Sequence, residues 1–386
     1  MTQKPAADVD GKGILAEVRR NEATLIERLQ TLVEIESPTG DKAGVDRAQS
    51  VFAGWAEAAG GKVRRHVHRQ FGDSLEVRFG PAARGERPTM LLGHLDTVWA
   101  LGTLARMPFR ITRDRISGPG VLDMKAGVVM MLAAIEALSN TKQLHRPVIL
   151  LIHGDEEVGS PASRKLTESL ARKCGAVYVL EPAQGDSGAY KTARKGVGHY
   201  RLQVDGVASH SGVDFEKGHS AVVELARQIE VLQSLTDLSK GITVNPGVIG
   251  GGTCSNVIAA QAWVEIDVRI ARMRDIAGVD RALRSLRPFD KSCKLTMSGG
   301  MNRPPMERSK GTAALFRQAQ KFATDFGFEL DEAATGGASD GNLTAALGIP
   351  TLDGMGAVGA GAHAPHEHLQ RKHLSPRTAL LAAMLL

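Results

Sequence analysis

The sequence is poor in aromatic residues, in cysteines and in long apolar runs, and each shortage excludes a class of protein. Aromatic side chains make up 4% of the 386 residues, too few for a stacking surface that binds single-stranded nucleic acid. The 3 cysteines form neither a C-x-x-C pair nor an even framework, which indicates free thiols in a reducing compartment. No apolar run approaches the roughly 18 residues of a membrane span.

Neither sign of charge dominates the chain. The formal net charge is +6, and the 48 Lys and Arg residues are scattered rather than clustered. We therefore expect no nucleic-acid partner and regard small anionic molecules as better candidates. Residues 1–13 contain acids and no apolar segment, so they do not resemble a signal peptide. These features predict a cytoplasmic protein that does not bind membranes.

Apolar runs and helical patterns alternate along the first half of the chain. Apolar residues at helical spacing predict one helix over residues 14–35, and similar patterns open at Lys125 and at Ser163. Strand-like runs occur before, between and after the last two of these helices, as in TMLLGHLD, PVILLIHG and AVYVL. This order predicts an α/β fold with a mixed, largely parallel sheet flanked by helices.

The pattern changes after Gly196. Residues 198–208 alternate in a two-residue period, as a half-exposed strand does, and two helices and further strands follow. A helical pattern over residues 312–327 then returns to the alternation of helices and apolar strands seen in the first half of the chain. We predict two domains: a discontinuous one of residues 1–196 and 305–386, and an inserted α+β domain of residues 197–304.

Acids and histidines follow the predicted strands of the first domain. Ligand sites in open α/β sheets gather at the carboxyl ends of the strands. The candidates in chain order are His94, Asp96, Asp123, Asp155, Glu156, Glu157, Glu181 and His363.

Each candidate also has a plainer interpretation. His94 could be a structural histidine, and Asp123 could be the N-cap of the helix that follows it. The acidic run Asp155–Glu157 could be a solvated loop, and Glu181 could belong to a turn before a proline. Two other histidines of the last segment, His366 and His368, compete with His363.

In combination, these residues favour a metal site. Buried carboxylates and imidazoles need partners, and one divalent metal serves several of them at once. Two ions about 3.5–4 Å apart require a bridging carboxylate and terminal ligands on each side. Oxygen and imidazole ligands without thiolate suit zinc, with cobalt or manganese as alternatives. The assignment that meets this count has Asp123 as the bridge, His94 and Glu181 on one ion, and Glu157 and His363 on the other.

Two further acids have roles beside metal ligation. If Glu157 binds the metal, Glu156 points elsewhere on an extended turn, where it can take the proton from the attacking water and pass it to the leaving amine. Asp96 lies two residues from His94 and is placed to accept the second imidazole N–H and orient the ring. The residues alone therefore favour a metal-dependent hydrolase.

At these residues the chain resembles the zinc peptidase family that includes aminoacylases, acetylornithine and succinyl-diaminopimelate deacylases, and bacterial glutamate carboxypeptidases. The motifs GHLDTV, GPGVLDMKAG, DEEVGS, Glu181–Pro182 and GAGAHAP match in family order. The likeness is strongest to the glutamate carboxypeptidase branch, in DTVWALGTLARMPFRI and in DEEVGS followed by SR. The resemblance implies a di-zinc exopeptidase-like catalytic domain, two zinc ions per subunit on the ligands named above, and Glu156 as general base.

The resemblance also implies roles for the inserted domain. Residues 197–304 would form a lid that mediates homodimerisation. His210, in ASHSG, resembles a histidine that reaches the partner's active site, where it would polarise the scissile carbonyl and stabilise the oxyanion. Asn256 and Arg269 resemble substrate-binding residues of the lid. Arg303 is a candidate for binding the α-carboxylate of the product by a two-pronged pairing.

The predicted activity is hydrolysis of the amide bond that joins an acyl or peptidyl group to a C-terminal amino acid in a small-molecule substrate. Glutamate-specific relatives place a lysine shortly after the counterpart of Glu181, where this chain has Ala189, with Lys191 and Arg194 as substitutes. An N-acyl amino acid deacylase or a dipeptidase of the same family is the alternative. The non-enzymatic alternative is an inactive relative that binds amino acids or peptides, and the intact Glu156 argues against it.

Overall fold

The computed structural model describes residues 11–81 and 85–386. Contacts between the Cα atoms of these residues divide the chain into two compact units. The first unit runs through Ala193 and continues in Arg308–Thr335 and Ser339–Leu386, and the second comprises Arg194–Glu307 and Gly336–Ala338. Each unit has its own sheet and its own hydrophobic core.

Helices and strands alternate through most of the described chain. The α-helices are α1 (Gly11–Arg20), α2 (Glu22–Glu34), α3 (Lys42–Ala58), α4 (Thr103–Arg106), α5 (Ala126–Asn140), α6 (Arg164–Ala171), α7 (Ala221–Ser234), α8 (Met273–Arg284), α9 (Lys310–Asp325), α10 (Gly341–Ala346) and α11 (Leu374–Ala383). The strands are β1 (Lys62–His66), β2 (Ser74–Phe79), β3 (Thr89–His94), β4 (Arg110–Ile111), β5 (Arg115–Ser117), β6 (Val148–His153), β7 (Ala176–Val179), β8 (Tyr190–Arg194), β9 (Gly196–Asp205), β10 (Thr243–Gly251), β11 (Gln261–Ile270), β12 (Lys294–Arg303), β13 (Glu332–Thr335), β14 (Thr351–Leu352), β15 (Gly359–Ala360) and β16 (His368–Gln370).

A six-stranded sheet with the order β1-β2-β6-β3-β7-β14 lies at the centre of the first unit. Strands β6, β3, β7 and β14 run parallel, and β1 and β2 pair antiparallel at one side. Every residue of β6 and β7 is buried, as expected for parallel strands that are covered on both faces. The predicted mixed, largely parallel sheet is therefore confirmed.

Alternate residues of the central strands pack into two different hydrophobic clusters. Leu91 and Leu150 belong to the cluster that includes α5 and α11, whereas Met90 and Leu151 belong to the cluster that includes residues of α6. This separation follows from the two-residue period of a strand, which sends neighbouring side chains to opposite faces. Fully burying one such side chain contributes about 1.5–3 kcal/mol, so the sheet is held firmly from both sides.

The register of the parallel strands brings their carboxyl ends to one edge. His94, the last residue of β3, pairs with His153, the last residue of β6. Leu92 of β3 pairs with Val179, the last residue of β7. The segments that follow β3, β6 and β7 therefore start side by side, and they contain most of the acids singled out in the sequence.

The second unit contains a four-stranded antiparallel sheet with the order β10-β11-β9-β12. Every second residue of β11 is buried, from Ala262 to Ile270, so one face of the sheet carries the core of this unit. Helices α7 and α8 pack against the sheet. The Ser220 hydroxyl caps α7 by accepting a hydrogen bond from the amide of Val223, a common N-cap arrangement.

The structure differs from the sequence predictions at one helix and at one domain boundary. The helix predicted over residues 14–35 is two helices, α1 and α2, because Asn21 interrupts it; the Asn21 side chain donates to the Glu17 backbone and carboxylate, a local bond that competes with helix geometry. Residues Gly336–Ala338, predicted to lie in the first domain, belong to the second unit. No helix among the described residues has the length and apolar character needed to cross a membrane.

Candidate metal centre

Three of the predicted ligands follow strands of the central sheet. His94 ends β3, and Glu181 lies two residues beyond β7. Glu157 lies in the short 3-10 turn Glu156–Val158 that follows β6. Their side chains are largely withdrawn from solvent, with exposed fractions of 1% for His94, 11% for Glu181 and 8% for Glu157. The acidic run after β6 is therefore not a solvated loop.

Asp123 lies in a tight turn that leads into α5. Gly120 has a φ of +70° in this turn, and a Cβ there would lie 2.6 Å from the Thr97 side chain, so only glycine is accommodated without strain. A Cβ at Gly127 would lie 2.0 Å from the Leu180 carbonyl oxygen, so the start of α5 packs directly against the segment that carries Glu181. The helix begins at Ala126, and Asp123 is therefore not its N-cap.

The predicted ligands form two groups that share Asp123. His94 Nε2 lies 3.5 Å from Asp123 Oδ1 and 3.6 Å from Glu181 Oε1. His363 Nε2 lies 3.3 Å from Asp123 Oδ2 and 3.3 Å from Glu157 Oε2. The two carboxylate oxygens of Asp123 thus face the two groups, which is the arrangement expected of a bridging ligand.

These separations fit metal coordination better than hydrogen bonding. Good N–H···O bonds have donor–acceptor distances of about 2.7–3.2 Å, and all four separations are longer. A tetrahedral ion with bonds of about 2.1 Å keeps its ligand atoms about 3.4 Å apart. Two sets of three residues each offer ligand atoms that lie within 4.8 Å of one another inside the set. The sets are His94–Asp123–Glu157 and His94–Glu156–Glu181. The donors present therefore fit a divalent cation.

The unpaired oxygens and the charges of the group point to the same conclusion. Asp123 Oδ1 and Glu157 Oε1 are buried and have no hydrogen-bond partner among the described residues. The Asp123 and Glu157 carboxylates raise the pKa of His363 to about 10. Burial alone would lower the pKa of His94, but contacts with Asp123, Asp96 and Glu181 raise it well above its usual range. The carboxylates thus make the electrostatic potential at this point strongly favourable for a positive charge.

The same contacts act on the carboxylates in different directions. Burial opposes ionisation of Asp123, but its contacts with His363 and His94 hold the pKa of that carboxyl well below its usual range. Burial raises the pKa of Glu157, and His363 only partly offsets this effect. Asp123 is therefore the more firmly ionised of the two, which suits a carboxylate that faces both groups.

Asp96 contacts both of the predicted ligand segments that flank it, His94 and the turn after β6. His94 Nδ1 lies 2.9 Å from the backbone oxygen of Asp96 and 3.3 Å from its carboxylate Oδ1, so the carbonyl is the closer acceptor. The carboxylate also accepts hydrogen bonds from the Thr39 hydroxyl at 2.7 Å and from the amides of Glu156 and Glu157 at 3.2 Å each. One residue thus holds His94, through its carbonyl and its carboxylate, and holds the turn after β6 through its carboxylate.

The histidines that compete with His363 do not join the cluster. Among the described ion pairs, neither His366 nor His368 contacts Asp123 or Glu157, and His368 Nδ1 is bonded to the backbone oxygen of His366 at 2.8 Å. His363 itself has a left-handed φ of 62°. Residues other than glycine seldom adopt this backbone conformation outside functional or tightly held segments.

The four remaining predicted site residues lie in the second unit. His210 is exposed, and its Nδ1 accepts a hydrogen bond from the Gly212 amide at 3.1 Å. The segment around Asn256 runs beside it, since the Asn256 carbonyl accepts a bond from the Ser211 amide at 3.0 Å. His210 and Asn256 therefore share one corner of this unit.

The two predicted arginines differ in exposure and in partners. Arg269 is half-buried, and its Nε and Nη2 donate to the two carboxylate oxygens of Asp267 at 2.8 and 2.9 Å. Arg303, the last residue of β12, is buried, with 7% of its surface exposed. Arg303 Nη1 donates to Asn302 Oδ1 at 3.3 Å. The substrate-binding roles of both arginines stay predictions.

The position expected to carry a specificity lysine is occupied by a buried methyl group. Ala189 is 5% exposed and pairs through its backbone with Gln184. The two substitutes differ in placement, since Lys191 is buried in the first unit and Arg194 is buried in the second. Arg194 Nη1 donates to the Gly337 carbonyl at 3.2 Å.

Two residues that sequence reasoning missed support the cluster. The Thr39 hydroxyl donates to the Asp96 carboxylate, and Thr39 lies in residues 37–41, SPTGD, whose composition indicates only a turn. Glu367 is fully buried and accepts hydrogen bonds from the turn that carries Asp123. It lies four residues after His363, and that proximity was the available signal.

Comparison with known proteins agrees with this geometry. Residues 90–386 match the family model of peptidase family M20/M25/M40. Carboxypeptidase G2 from a Pseudomonas species is 29% identical over 371 residues, which cover 94% of this chain and 88% of that protein. Acetylornithine deacetylase from Salmonella arizonae is 26% identical over 264 residues, covering 63% of this chain and 67% of that protein.

The fold has close counterparts among solved structures. Aminopeptidase PepT from Bacillus cereus superimposes with a TM-score of 0.79 at 21% identity, covering 95% of this chain and 98% of that one. The family match and the two curated relatives confirm the resemblance to this peptidase family that the sequence motifs indicated. The family match spans most of the chain, including every predicted metal ligand, so the chain is a hydrolase that belongs to peptidase family M20/M25/M40.

Proposed function

We propose that this hydrolase cleaves the amide bond between an acyl or peptidyl group and a C-terminal amino acid, as a carboxypeptidase with two zinc ions. The observation that carries the proposal is the pair of ligand groups that share Asp123, with His94 and Glu181 on one side and His363 and Glu157 on the other. Cobalt or manganese would suit the same oxygen and imidazole donors.

The metals would supply Lewis acidity, which polarises the scissile carbonyl and makes water reactive at neutral pH. His94 and Glu181 would hold one ion and Glu157 and His363 the other, with Asp123 between them. Asp96 would keep the His94 ring and the Glu156–Glu157 turn in place through the bonds described above.

Glu156 is the proposed general base. Its carboxylate lies beside the group formed by His94 and Glu181, within 4.8 Å of a ligand atom of each. Glu156 would take one proton from the attacking water and deliver it to the amide nitrogen as the C–N bond breaks. The acyl group then leaves as a carboxylic acid and the amino acid as a free amine, so the atoms of one water are consumed.

The inserted unit would act as a lid and as a dimer surface. Four exposed valine and isoleucine side chains lie on α7 and on the neighbouring strand β10, namely Val222, Val223, Val248 and Ile249, with exposed fractions of 44–64%. Strand β10 is an outer strand of its sheet, so its free edge and these side chains suit self-association. In such a dimer His210 would serve the partner's site by stabilising the oxyanion.

The α-carboxylate of the substrate would bind an arginine of the inserted unit, and Arg303 is the first candidate. Asn256 and Arg269 would contribute further contacts to the substrate. The buried methyl of Ala189 leaves that position without a cation for a glutamate side chain. This observation favours keeping an N-acyl amino acid deacylase as the second candidate, and the similarity to an acetylornithine deacetylase supports it.

Release of free amino acid by the zinc-loaded protein tests the proposal. The substrates would be N-acetyl, N-succinyl and peptidyl derivatives of glutamate, aspartate, ornithine, arginine and alanine. Each substrate would also be assayed with the chelator o-phenanthroline added and with the E156Q variant in place of the wild type. Chelator-sensitive and Glu156-dependent turnover of peptidyl derivatives supports the carboxypeptidase, whereas turnover of acetyl or succinyl derivatives alone supports the deacylase. Turnover that survives the chelator contradicts the metal mechanism.

A further inference from the structure

A buried carboxylate outside the proposed ligand set holds the turn that carries Asp123. Glu367 is 0% exposed. Its Oε1 accepts the amides of Leu122 at 2.8 Å and Asp123 at 3.0 Å. Its Oε2 accepts the Gly120 amide at 3.0 Å and the indole N–H of Trp99 at 2.8 Å. Both oxygens are therefore fully used, and three of the four donors belong to one turn.

The bonding of Glu367 is unlike that of an ordinary buried ion pair. Buried carboxylates usually face a cationic side chain, but the nearby Lys125 directs its Nζ to the Leu32 and Ile35 carbonyls at 2.9 and 2.8 Å. Lys125 attracts Glu367 only through space, and the hydrogen bonds to the carboxylate come from converging backbone N–H groups and the Trp99 indole, an arrangement that binds anions. Because the turn supplies these donors, its conformation depends on the carboxylate.

Glu367 also belongs to the segment that carries His363. Two short backbone bonds close this segment, from the Ala364 amide to the Gly361 carbonyl at 2.8 Å and from the Glu367 amide to the Ala364 carbonyl at 2.9 Å. His363 and Glu367 are therefore parts of one compact loop. The loop contacts the Asp123 turn at two points, through the Glu367 carboxylate and through His363 Nε2, which lies 3.3 Å from Asp123 Oδ2.

We propose that Glu367 is a positioning residue that ties the His363 loop to the Asp123 turn and thereby sets the affinity of the centre for its metal. The inference rests on the proposed metal site. Removing a residue that orients metal ligands typically lowers metal affinity by about 10–100-fold, and we expect Glu367→Gln to fall in this range. The glutamine amide would direct N–H groups at backbone N–H donors, so the turn could not keep its present form.

The chain offers a matched control in the second unit. Glu224 is 2% exposed, and it accepts hydrogen bonds from the amides of Phe289 and Asp290, both at 3.0 Å. Glu224→Gln removes the same kind of buried bond without touching the metal centre. The experiment compares full-length wild type, E367Q and E224Q, each stripped of metal, by zinc titration against a competing chelator and by thermal unfolding.

The inference predicts that E367Q loses about 10–100-fold in zinc affinity, whereas E224Q loses thermal stability and binds zinc like the wild type. Equal zinc affinity of E367Q and wild type, or an equal loss in E224Q, would overturn it. If E367Q does not fold, the W99F variant is measured in its place. It removes one of the four hydrogen bonds to Glu367 and should weaken zinc binding by about threefold to tenfold. An unchanged zinc affinity in W99F would then overturn the proposed role of Glu367. A wild type that binds no zinc would contradict the proposed metal site itself and not only this role of Glu367.

Discussion

The two units hold their predicted functional residues in different ways. In the first unit, acids and histidines from distant parts of the sequence meet at the carboxyl edge of a largely parallel sheet, within 3.3–3.6 Å of one another. In the second unit, the predicted residues lie on an antiparallel sheet and its loops, where Arg269 is bonded to Asp267 and to the Gly336 carbonyl and the Asn256 carbonyl accepts from the Ser211 amide. A parallel sheet collects its strand ends at one place, and an antiparallel one does not.

This difference separates two kinds of expected mutational effect. Changes in the first unit should alter metal binding or the chemical step, because the proposed metal ligands and the proposed general base lie there. Changes in the second unit should alter catalysis or substrate binding while metal affinity stays constant. Metal affinity is therefore the quantity that separates the two units.

Replacement of Glu156 by glutamine should cost the most activity. Without the general base, kcat should fall by about 10²–10⁴-fold, while zinc content stays that of the wild type. The neighbouring substitution E157Q is the matched control, because it should lose zinc instead. Metal analysis and amino acid release on the same samples measure both effects. Normal turnover in E156Q would remove Glu156 as the base.

Replacement of His210 by alanine should lower kcat by about 10²–10³-fold, the usual cost of removing an oxyanion donor, with zinc content and thermal stability preserved. If His210 serves the partner's site, then mixing H210A with E156Q subunits should restore about a quarter of the wild-type rate, because half of the dimers regain one complete site. Confirmed mixed dimers without any rescue would contradict the role across the subunit boundary.

Removal of the metal should destabilise the first unit and leave the second unchanged. At free zinc of about 100–1,000 times Kd, loss of binding should lower the unfolding free energy by about 3–4 kcal/mol. Hydrogen exchange measured by mass spectrometry can compare peptides of β3 and β7 with peptides of β9 and β11, with and without chelator. Equal loss of protection in both units would break the comparison.

Replacement of Arg303 by lysine should have the smallest effect. The lysine keeps the charge but lacks the planar fork for a carboxylate, so KM should rise by about 10–100-fold with little change in kcat. R269K is the comparison, and its KM should rise less because Arg269 is already bound to Asp267 through two nitrogens. A larger effect in R269K would move the carboxylate-binding role to Arg269.

The fold and the cluster of acids and histidines were predictable because their signals are local. Apolar strands followed at once by His94 or Glu181 are visible in the sequence, and parallel topology then brings them together. The break at Asn21 was not predictable from apolar spacing, because it depends on a side-chain bond to Glu17. Glu367 was missed because its importance lies in a turn more than 240 positions earlier in the chain. Every residue except proline has a backbone N–H, so the sequence does not show which of these groups will bind a distant carboxylate. Such contacts are seen only in the folded molecule.

The most direct test of the central claim is anomalous X-ray diffraction at the zinc edge from crystals of the zinc-loaded protein. The account predicts two peaks about 3.5–4 Å apart, one beside His94 and Glu181 and the other beside Glu157 and His363, with Asp123 between them. A single peak, or peaks away from these five side chains, would contradict it.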